Sequence, residues 1–140
     1  MNAKAAYRPL ADLLHEYLPE LPENTVVIPV PTINPHIRQR GYDHMLLIAR
    51  QFARLRRLPL DTSLQRAVMT EQVSANRKQR IDQAKLAFSC IKQLDPSKIY
   101  LLLDDVVTTG ATIKYAAKTL KASGAHTIWV ASLSRQPVDE

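Results

Sequence analysis

Two adjacent acids and a group of threonines stand close together in the last third of the sequence. Asp104 and Asp105 follow an apolar run, and Thr108, Thr109 and Thr112 come shortly after them. Carboxylates in such a position accept hydrogen bonds from sugar hydroxyls, as an acidic residue does in nucleotide-binding folds. Threonine hydroxyls add hydrogen-bond donors for an anion. The pattern therefore predicts a site for a sugar that carries a phosphate.

The segment after the acids has the features of a helix start. Backbone N–H groups at a helix start have no partner within the helix and carry the positive end of its dipole, so they attract phosphate. Gly110 allows a tight turn and a close approach of the ligand. Any one of these residues alone is equally consistent with a simple helix cap. The whole string carries the prediction, and its candidate binding residues are Val106, Thr108, Thr109, Gly110, Ala111 and Thr112.

A strand–helix–strand unit is expected to position this segment. The continuous apolar run Ile99–Leu103 predicts a strand that is covered on both faces. A helix is predicted over Gly110–Ser123, and Thr127–Ala131 is the next strand. Such a unit favours a parallel sheet with a right-handed crossover, in which ligands bind at the carboxyl ends of the strands. The two acids fall at that end, in a predicted turn that runs from Asp104 to Thr109.

The upstream half supplies the remaining elements. Together they predict a single-domain α/β fold with a mostly parallel central sheet of about five strands and helices on both faces. Residues 1–24 are interpreted as a short N-terminal helical segment or hood, 25–135 as the main domain and 136–140 as a tail. The predicted elements are helices over Ala3–Tyr17 and Asp43–Arg57 and strands over Thr25–Val30, Leu64–Val68 and Leu86–Ile91.

Two segments resemble a known family. Leu101 to Thr112 resembles the signature of type I phosphoribosyltransferases, and Val30-Pro31 followed by Arg38, Arg40 and Gly41-Tyr42-Asp43-His44 resembles a pattern of the ComF group. The similarity spans roughly Val27 to Arg135. The chain departs from the group at Asp43-His44, which replaces Asn-Gln. Its single cysteine cannot form the four-cysteine zinc module that the group often carries.

The resemblance implies a substrate and a reaction. Asp104 and Asp105 would be the catalytic pair that orients the ribose of 5-phosphoribosyl-1-pyrophosphate, and Val106–Thr112 would bind its 5-phosphate. A nitrogen acceptor, whose identity stays open, would displace pyrophosphate. Mg²⁺ would arrive with the pyrophosphate, near the acids, without a tight protein site. Arg38, Arg40 and Gly41 would lie near the pyrophosphate, and Arg77, Arg80 and Lys85 belong to a polar segment, Met69–Lys85, that resembles the mobile flap of the family.

Composition leaves several alternatives open. The formal net charge of +6 attracts polyanions, so nucleic acid is a weakly supported partner beside a phosphorylated substrate. No apolar run approaches the ~20 residues that span a bilayer, and the first residues lack the apolar core of a signal peptide, so a cytoplasmic protein is expected. The second functional hypothesis is a catalytically silent ribose-phosphate-binding module that acts in DNA uptake or nucleotide sensing. The sequence leaves a homodimer open.

Overall fold

The chain folds as an α/β protein. A computed structural model describes residues 3–33, 37–39, 41–67, 79 and 87–135. No helix within those ranges is long and apolar enough to cross a membrane. The elements are α1 (Tyr7–Tyr17, continuing a 3-10 turn over Ala3–Ala6), β1 (Thr25–Pro29), α2 (His44–Arg56), β2 (Leu64–Arg66), β3 (Phe88–Cys90), β4 (Ile99–Val107), α3 (Ala111–Ala122) and β5 (Thr127–Arg135).

The described strands form two sheets. A parallel sheet has the order β1-β4-β5, and β2 pairs with β3 in a separate antiparallel ribbon. The α/β class with helices on both faces is confirmed, but the five strands are divided between these sheets. The sequence predicted one central sheet of about five strands, whereas β2 and β3 pair with each other outside the parallel sheet. Both strands are short, and their pairing depends on contacts between residues that are distant in sequence.

Strand β4 lies at the centre of the parallel sheet and is buried on both faces. Leu101 and Leu103 pack with α1 and α2 in one hydrophobic core. Tyr100 and Leu102 pack in a second core with α3. An apolar run of this length therefore lies between two helical layers, as parallel sheets require. Burial on both faces fixes the position of the strand's carboxyl end, where the acids lie.

Both strands of the final unit are longer than the sequence suggested. Strand β4 continues to Val107, so Asp104 and Asp105 lie within the strand and not in the predicted turn. Strand β5 continues to Arg135, and Asp104 is paired with Ser132 across the two strands. The acids resemble turn residues locally, but parallel pairing with β5 keeps their backbone extended.

Asp43 joins the loop after β1 to the start of α2. One of its carboxylate oxygens, Oδ1, accepts hydrogen bonds from the Leu46 amide at 3.1 Å and from the Thr32 hydroxyl at 2.8 Å. The first bond caps the helix, which begins one residue later than predicted. The second bond holds Thr32 beside the helix. The loop that follows the first strand is thereby fixed on the same side of the sheet as the end of β4.

Arg56 on α2 forms hydrogen bonds with the carboxyl end of α1. Its guanidinium donates to the carbonyl oxygens of His15, Leu18 and Pro19 at 2.9, 2.6 and 2.8 Å. It also lies over the Phe52 ring, 5.3 Å from the centroid. Carbonyl groups at a helix end lack partners within the helix, so a single arginine satisfies several of them here.

Replacing this arginine should destabilise the fold. We expect Arg56→Met to lower the free energy of unfolding by about 2–3 kcal/mol, because several hydrogen bonds to a charged group are lost. Urea denaturation followed by circular dichroism measures the change. Arg54→Met, at an exposed position of the same helix, should change stability by no more than about 0.5 kcal/mol. Equal stability of the two variants would contradict this role of Arg56.

Candidate functional site

A cavity of about 290 Å³ opens at the carboxyl ends of β1 and β4. It is the place where the fold brings together the acids, the start of α3 and the loop after β1. Five predicted site residues line it: Asp104, Asp105, Val106, Thr108 and Thr112. The other lining residues are Val30, Pro31, Thr32, Ile33, Met45 and Arg66.

Each of the two carboxylates accepts a hydrogen bond from the backbone amide of the following residue. The Asp105 amide donates to an Asp104 carboxylate oxygen at 2.9 Å, and the Val106 amide donates to an Asp105 carboxylate oxygen at 2.8 Å. Both side chains are half-buried. These local bonds orient each carboxylate without occupying all of its acceptor positions, since an ionised carboxylate accepts about four hydrogen bonds. The pair can therefore still accept hydrogen bonds from ligand hydroxyls.

Burial changes the ionisation of the first acid. Burial, together with the charge of the neighbouring Asp105, raises the pKa of Asp104 to about 7, while the Asp105 backbone amide and Arg66 act in the opposite direction. The Asp104 carboxyl therefore keeps its proton to a higher pH than an exposed aspartate does. Two adjacent carboxylates in a partly desolvated position cannot both be charged without cost. The site is consequently less negative near pH 7 than the two acids alone would suggest.

The start of α3 has a glycine turn, as the sequence predicted. Gly110 has φ of +83°, in the left-handed region that favours glycine. An added Cβ would meet no atom within 4 Å, so backbone conformation and not crowding by the protein calls for glycine. The first bond within the helix runs from the Lys114 amide to the Gly110 carbonyl at 2.9 Å. The Ala111 amide donates to the Thr109 hydroxyl at 3.3 Å, a long bond that leaves the helix start only weakly capped.

Arg66 is a cavity residue that sequence reasoning missed. Its Nε donates to the Pro31 carbonyl at 2.8 Å, and its guanidinium lies 4.4 Å from the centroid of the Phe88 ring. Burial lowers the pKa of this arginine to about 10, against the opposing charges of Asp104 and Asp43, so it stays protonated at neutral pH. A signal was present: side chains alternate along a strand, so Arg66 shares a face with the buried Leu64.

Of the other predicted residues, those that the structure describes do not line this cavity. Arg38 and Gly41 are exposed and absent from its lining, and Thr109, Gly110 and Ala111 are absent from it as well. Their predicted contacts with a ligand stay predictions. The other predicted cations, together with nearly all of the predicted flap, lie outside the described residues: Arg40, Arg77, Arg80 and Lys85.

The donor set fits magnesium that arrives with a ligand. In the part of the chain that the structure describes, no group of three His, Cys, Asp or Glu side chains is arranged to hold a metal ion. The cavity offers the Asp104 and Asp105 carboxylates. Mg²⁺ commonly binds through one or two carboxylates together with substrate phosphates and water. Asp104 and Asp105 are the residues that would hold it.

Solved structures of other proteins share the fold of this chain. No family model matches the chain. The structure superposes on the allosteric regulatory enzyme of purine biosynthesis with a TM-score of 0.66 and 19% identity over 96% of the chain and 26% of that enzyme. It superposes on purine phosphoribosyltransferase from Pyrococcus horikoshii with a TM-score of 0.51 and 20% identity, covering 95% of the chain and 73% of that protein.

One curated relative is similar in sequence along most of the chain. Competence protein F of Haemophilus influenzae is 34% identical over 139 residues, which cover 95% of the chain. The chain has the fold of the type I phosphoribosyltransferases, and it is similar in sequence to Competence protein F. The resemblance found in the sequence is thus confirmed. The chain spans 59% of the length of Competence protein F.

The half-buried Asp104 is expected to make the stability of the chain depend on pH. Above about pH 4 the unfolded chain releases the Asp104 proton, whereas the folded state keeps it up to about pH 7. Stability should therefore fall as the pH rises from about 4 to 7, by at most about 1.4 kcal/mol per pH unit from this group, and level off above. Asp104→Asn removes the titrating group, so this part of the slope should disappear.

Urea denaturation at intervals between pH 4.5 and 8 measures the effect as the difference between the parent chain and Asp104→Asn. Asp12→Asn, which alters an exposed acid on α1, serves as the control and should retain the parent slope. Parallel stability curves for the parent and Asp104→Asn would show that Asp104 titrates in the folded chain as it does in the unfolded chain.

Proposed function

We propose that the chain binds 5-phosphoribosyl-1-pyrophosphate with Mg²⁺ and transfers the phosphoribosyl group to a nitrogen acceptor. The observation that carries this proposal is the joint lining of one cavity by two carboxylates, an arginine and the threonines beside a helix start. Each of these groups suits a different part of a phosphorylated pentose. The cavity, at about 290 Å³, is near the lower end of the range for small-molecule sites.

The proposed contacts follow from the chemistry of the lining groups. Asp104 and Asp105 accept hydrogen bonds from the ribose 2- and 3-hydroxyls and so fix the sugar ring. Thr108 and Thr112, with the amides at the start of α3, bind the 5-phosphate, since a helix start attracts anions. The loop after β1 also lines the cavity, through Pro31, Thr32 and Ile33, and is the part proposed to face the pyrophosphate.

The proposed reaction forms a bond from the anomeric carbon of the ribose to the acceptor nitrogen as the carbon–oxygen bond to pyrophosphate breaks. Positive charge develops on the sugar ring, and both electrons of the broken bond leave with the pyrophosphate. The chain acts mainly by positioning the sugar and by electrostatic stabilisation. Mg²⁺, when bound with the substrate, neutralises charge on the pyrophosphate. Asp104 and Asp105 are therefore the proposed catalytic pair.

Fold likeness supports the substrate class. The purine phosphoribosyltransferase carries this fold, and so does a glutamine phosphoribosylpyrophosphate amidotransferase from B. subtilis, with a TM-score of 0.64 and 16% identity over 95% of the chain and 27% of that protein. Their names indicate phosphoribosyl chemistry. Because a shared fold does not fix function, the cavity and its residues carry the argument. The acceptor is left open, and we propose the cytoplasm as the compartment, consistent with the free thiol of Cys90.

A second candidate is a ribose-phosphate-binding module without transferase activity that acts in DNA uptake. The name of the relative, Competence protein F, favours this possibility. Both candidates use the same cavity and the same acids. They differ only in whether an acceptor reacts with the bound sugar, so binding and turnover must be measured separately.

Calorimetry with the sugar pyrophosphate and Mg²⁺ tests the shared binding site. We expect the parent chain to bind and Asp104→Asn with Asp105→Asn to bind at least about 100-fold more weakly, because hydrogen bonds to two charged groups are lost. The double variant removes repulsion between buried acids, so unfolding would not explain lost binding. Asp12→Asn should bind like the parent. Unchanged affinity of the double variant would refute the site.

Pyrophosphate release with a panel of nitrogen bases and amines separates the enzyme from the module. An enzyme should release pyrophosphate at a rate that depends on the acceptor and is abolished in the double variant. A chain that binds the sugar pyrophosphate but shows no release with any acceptor would favour the silent module.

A further inference from the structure

Strand β5 forms one edge of the parallel sheet. Its pairings are all with β4, so within the part of the chain that the structure describes no strand lies beside its other edge. The strand is long, with nine residues over Thr127–Arg135. The outer edge of such a strand presents backbone N–H and C=O groups to a further strand. This edge is therefore a candidate interaction surface.

The side chains beside this edge are exposed on both faces of the sheet. Trp129 is paired across the sheet with Leu101, whose face is covered by α1 and α2, yet the Trp129 side chain is 41% exposed. Val130 is paired with Leu102 on the opposite face, where α3 packs, and is 45% exposed. Both helical layers therefore leave this part of β5 uncovered, and a second strand can approach it from the side.

The sequence of β5 lacks the features that protect edge strands from pairing. Charged side chains, proline and bulges on an edge strand oppose its association with another chain. From Thr127 to Ser134 the strand contains no charged residue and no proline, and its register with β4 is constant along its length. Its single charge is that of Arg135, at the last position. An edge with these properties is expected to pair with another strand.

The position of that charge favours one arrangement of a second copy. If two β5 strands paired in parallel, their Arg135 side chains would lie next to each other, which is destabilising. Antiparallel pairing in full register instead places Arg135 opposite Thr127 of the second copy, and Trp129 opposite its Leu133. Each arginine is then far from the other, and each indole ring meets an aliphatic side chain, which is a favourable pair. The strand is thus complementary to itself.

We propose that β5 is a self-association surface, on which a second copy of this chain pairs antiparallel about a two-fold axis at Ala131. The parallel sheet of one copy then continues into that of the other, and the interface is closed because both copies use the same strand. A single pair of strands buries less area than a standard interface, so the dissociation constant should be on the order of tens of micromolar. The inference is independent of the proposed function, because it concerns the sheet edge and not the cavity.

Sedimentation velocity of the full chain between about 1 and 300 μM tests the association. The apparent mass should rise with concentration from 15.8 kDa towards twice that value. Trp129 is the only tryptophan in the sequence, so its fluorescence follows the same event. Its emission should shift to shorter wavelength as the dimer forms, because pairing removes the indole ring from water. A chain that stays monomeric over the whole range would overturn the proposal.

A charge swap between the two ends of β5 tests the antiparallel register. Thr127 and Arg135 are about 26 Å apart along one strand, so they can meet only between two copies. Thr127→Glu should tighten the dimer about 3- to 10-fold, because two pairs of opposite charge form across the axis. Adding Arg135→Glu should reverse this gain and weaken the dimer below the parent, because glutamates then face each other.

Val130→Lys places a charge beside the edge itself and should raise the dissociation constant at least about tenfold. Arg50→Gln is the matched control for Thr127→Glu, because it lowers the net charge by the same amount at an exposed position of α2. It should associate like the parent. Thermal melts check that every variant is folded.

The variants also decide which surface is used. A dimer that none of the β5 variants alters would show that association uses another surface, and the assignment to β5 would be wrong. Loss of association in Val130→Lys without tightening in Thr127→Glu would overturn the antiparallel register. Tightening by Thr127→Glu, its reversal by Arg135→Glu and an unchanged Arg50→Gln together support the proposed dimer.

Discussion

Parallel pairing of β4 with both β1 and β5 brings polar residues that are distant in sequence to one edge of the sheet. Because β4 is central and covered on both faces, its carboxyl end cannot shift relative to that of β1 without disturbing two hydrophobic cores. Asp104 and Asp105 thus lie beside Pro31 and Thr32. The cavity is a consequence of strand register, and its acids lie on a strand that is paired along both edges.

The electrostatic properties of the cavity follow from this enforced proximity. Placing two carboxylates next to each other in a partly buried position raises the pKa of Asp104 to about 7 through burial and the charge of Asp105. Arg66 opposes that shift, and its own burial is tolerated because a carbonyl and an aromatic ring support the guanidinium. The mixture of acids, the Arg66 cation and a helix start can bind hydroxyl groups as well as anionic groups. It is poorly suited to a uniformly anionic ligand.

Two polar connections place the surrounding segments. Asp43 links the loop after β1 to the start of α2 through the Thr32 hydroxyl. Arg56 links the end of α1 to α2 through three carbonyl groups. The first connection shapes a wall of the cavity directly, because Thr32 lines it. The second stabilises the helical layer against which the sheet packs, so it affects the cavity only through the stability of the fold.

The sequence alone determined the features that are local. The apolar run Ile99–Leu103 and Gly110 at the helix start indicated a strand and a turn, because composition and spacing are sufficient for each. The acids after the strand indicated a ligand site, which stays a prediction. The same segments carried the family resemblance, which the similarity to Competence protein F confirms. The predicted ends of β4 and β5 were too early, since pairing between the two strands keeps polar residues extended.

Tertiary structure alone decided which distant residues share the cavity. Arg66 lies far from Asp104 along the chain, and its side chain is held by contacts with Pro31 and Phe88 that no local sequence pattern predicts. Arg38 has the right residue type and follows the right strand, yet its side chain is exposed and does not line the cavity. The physical reason is that residue type sets what a side chain can bind, whereas register and packing set where it points.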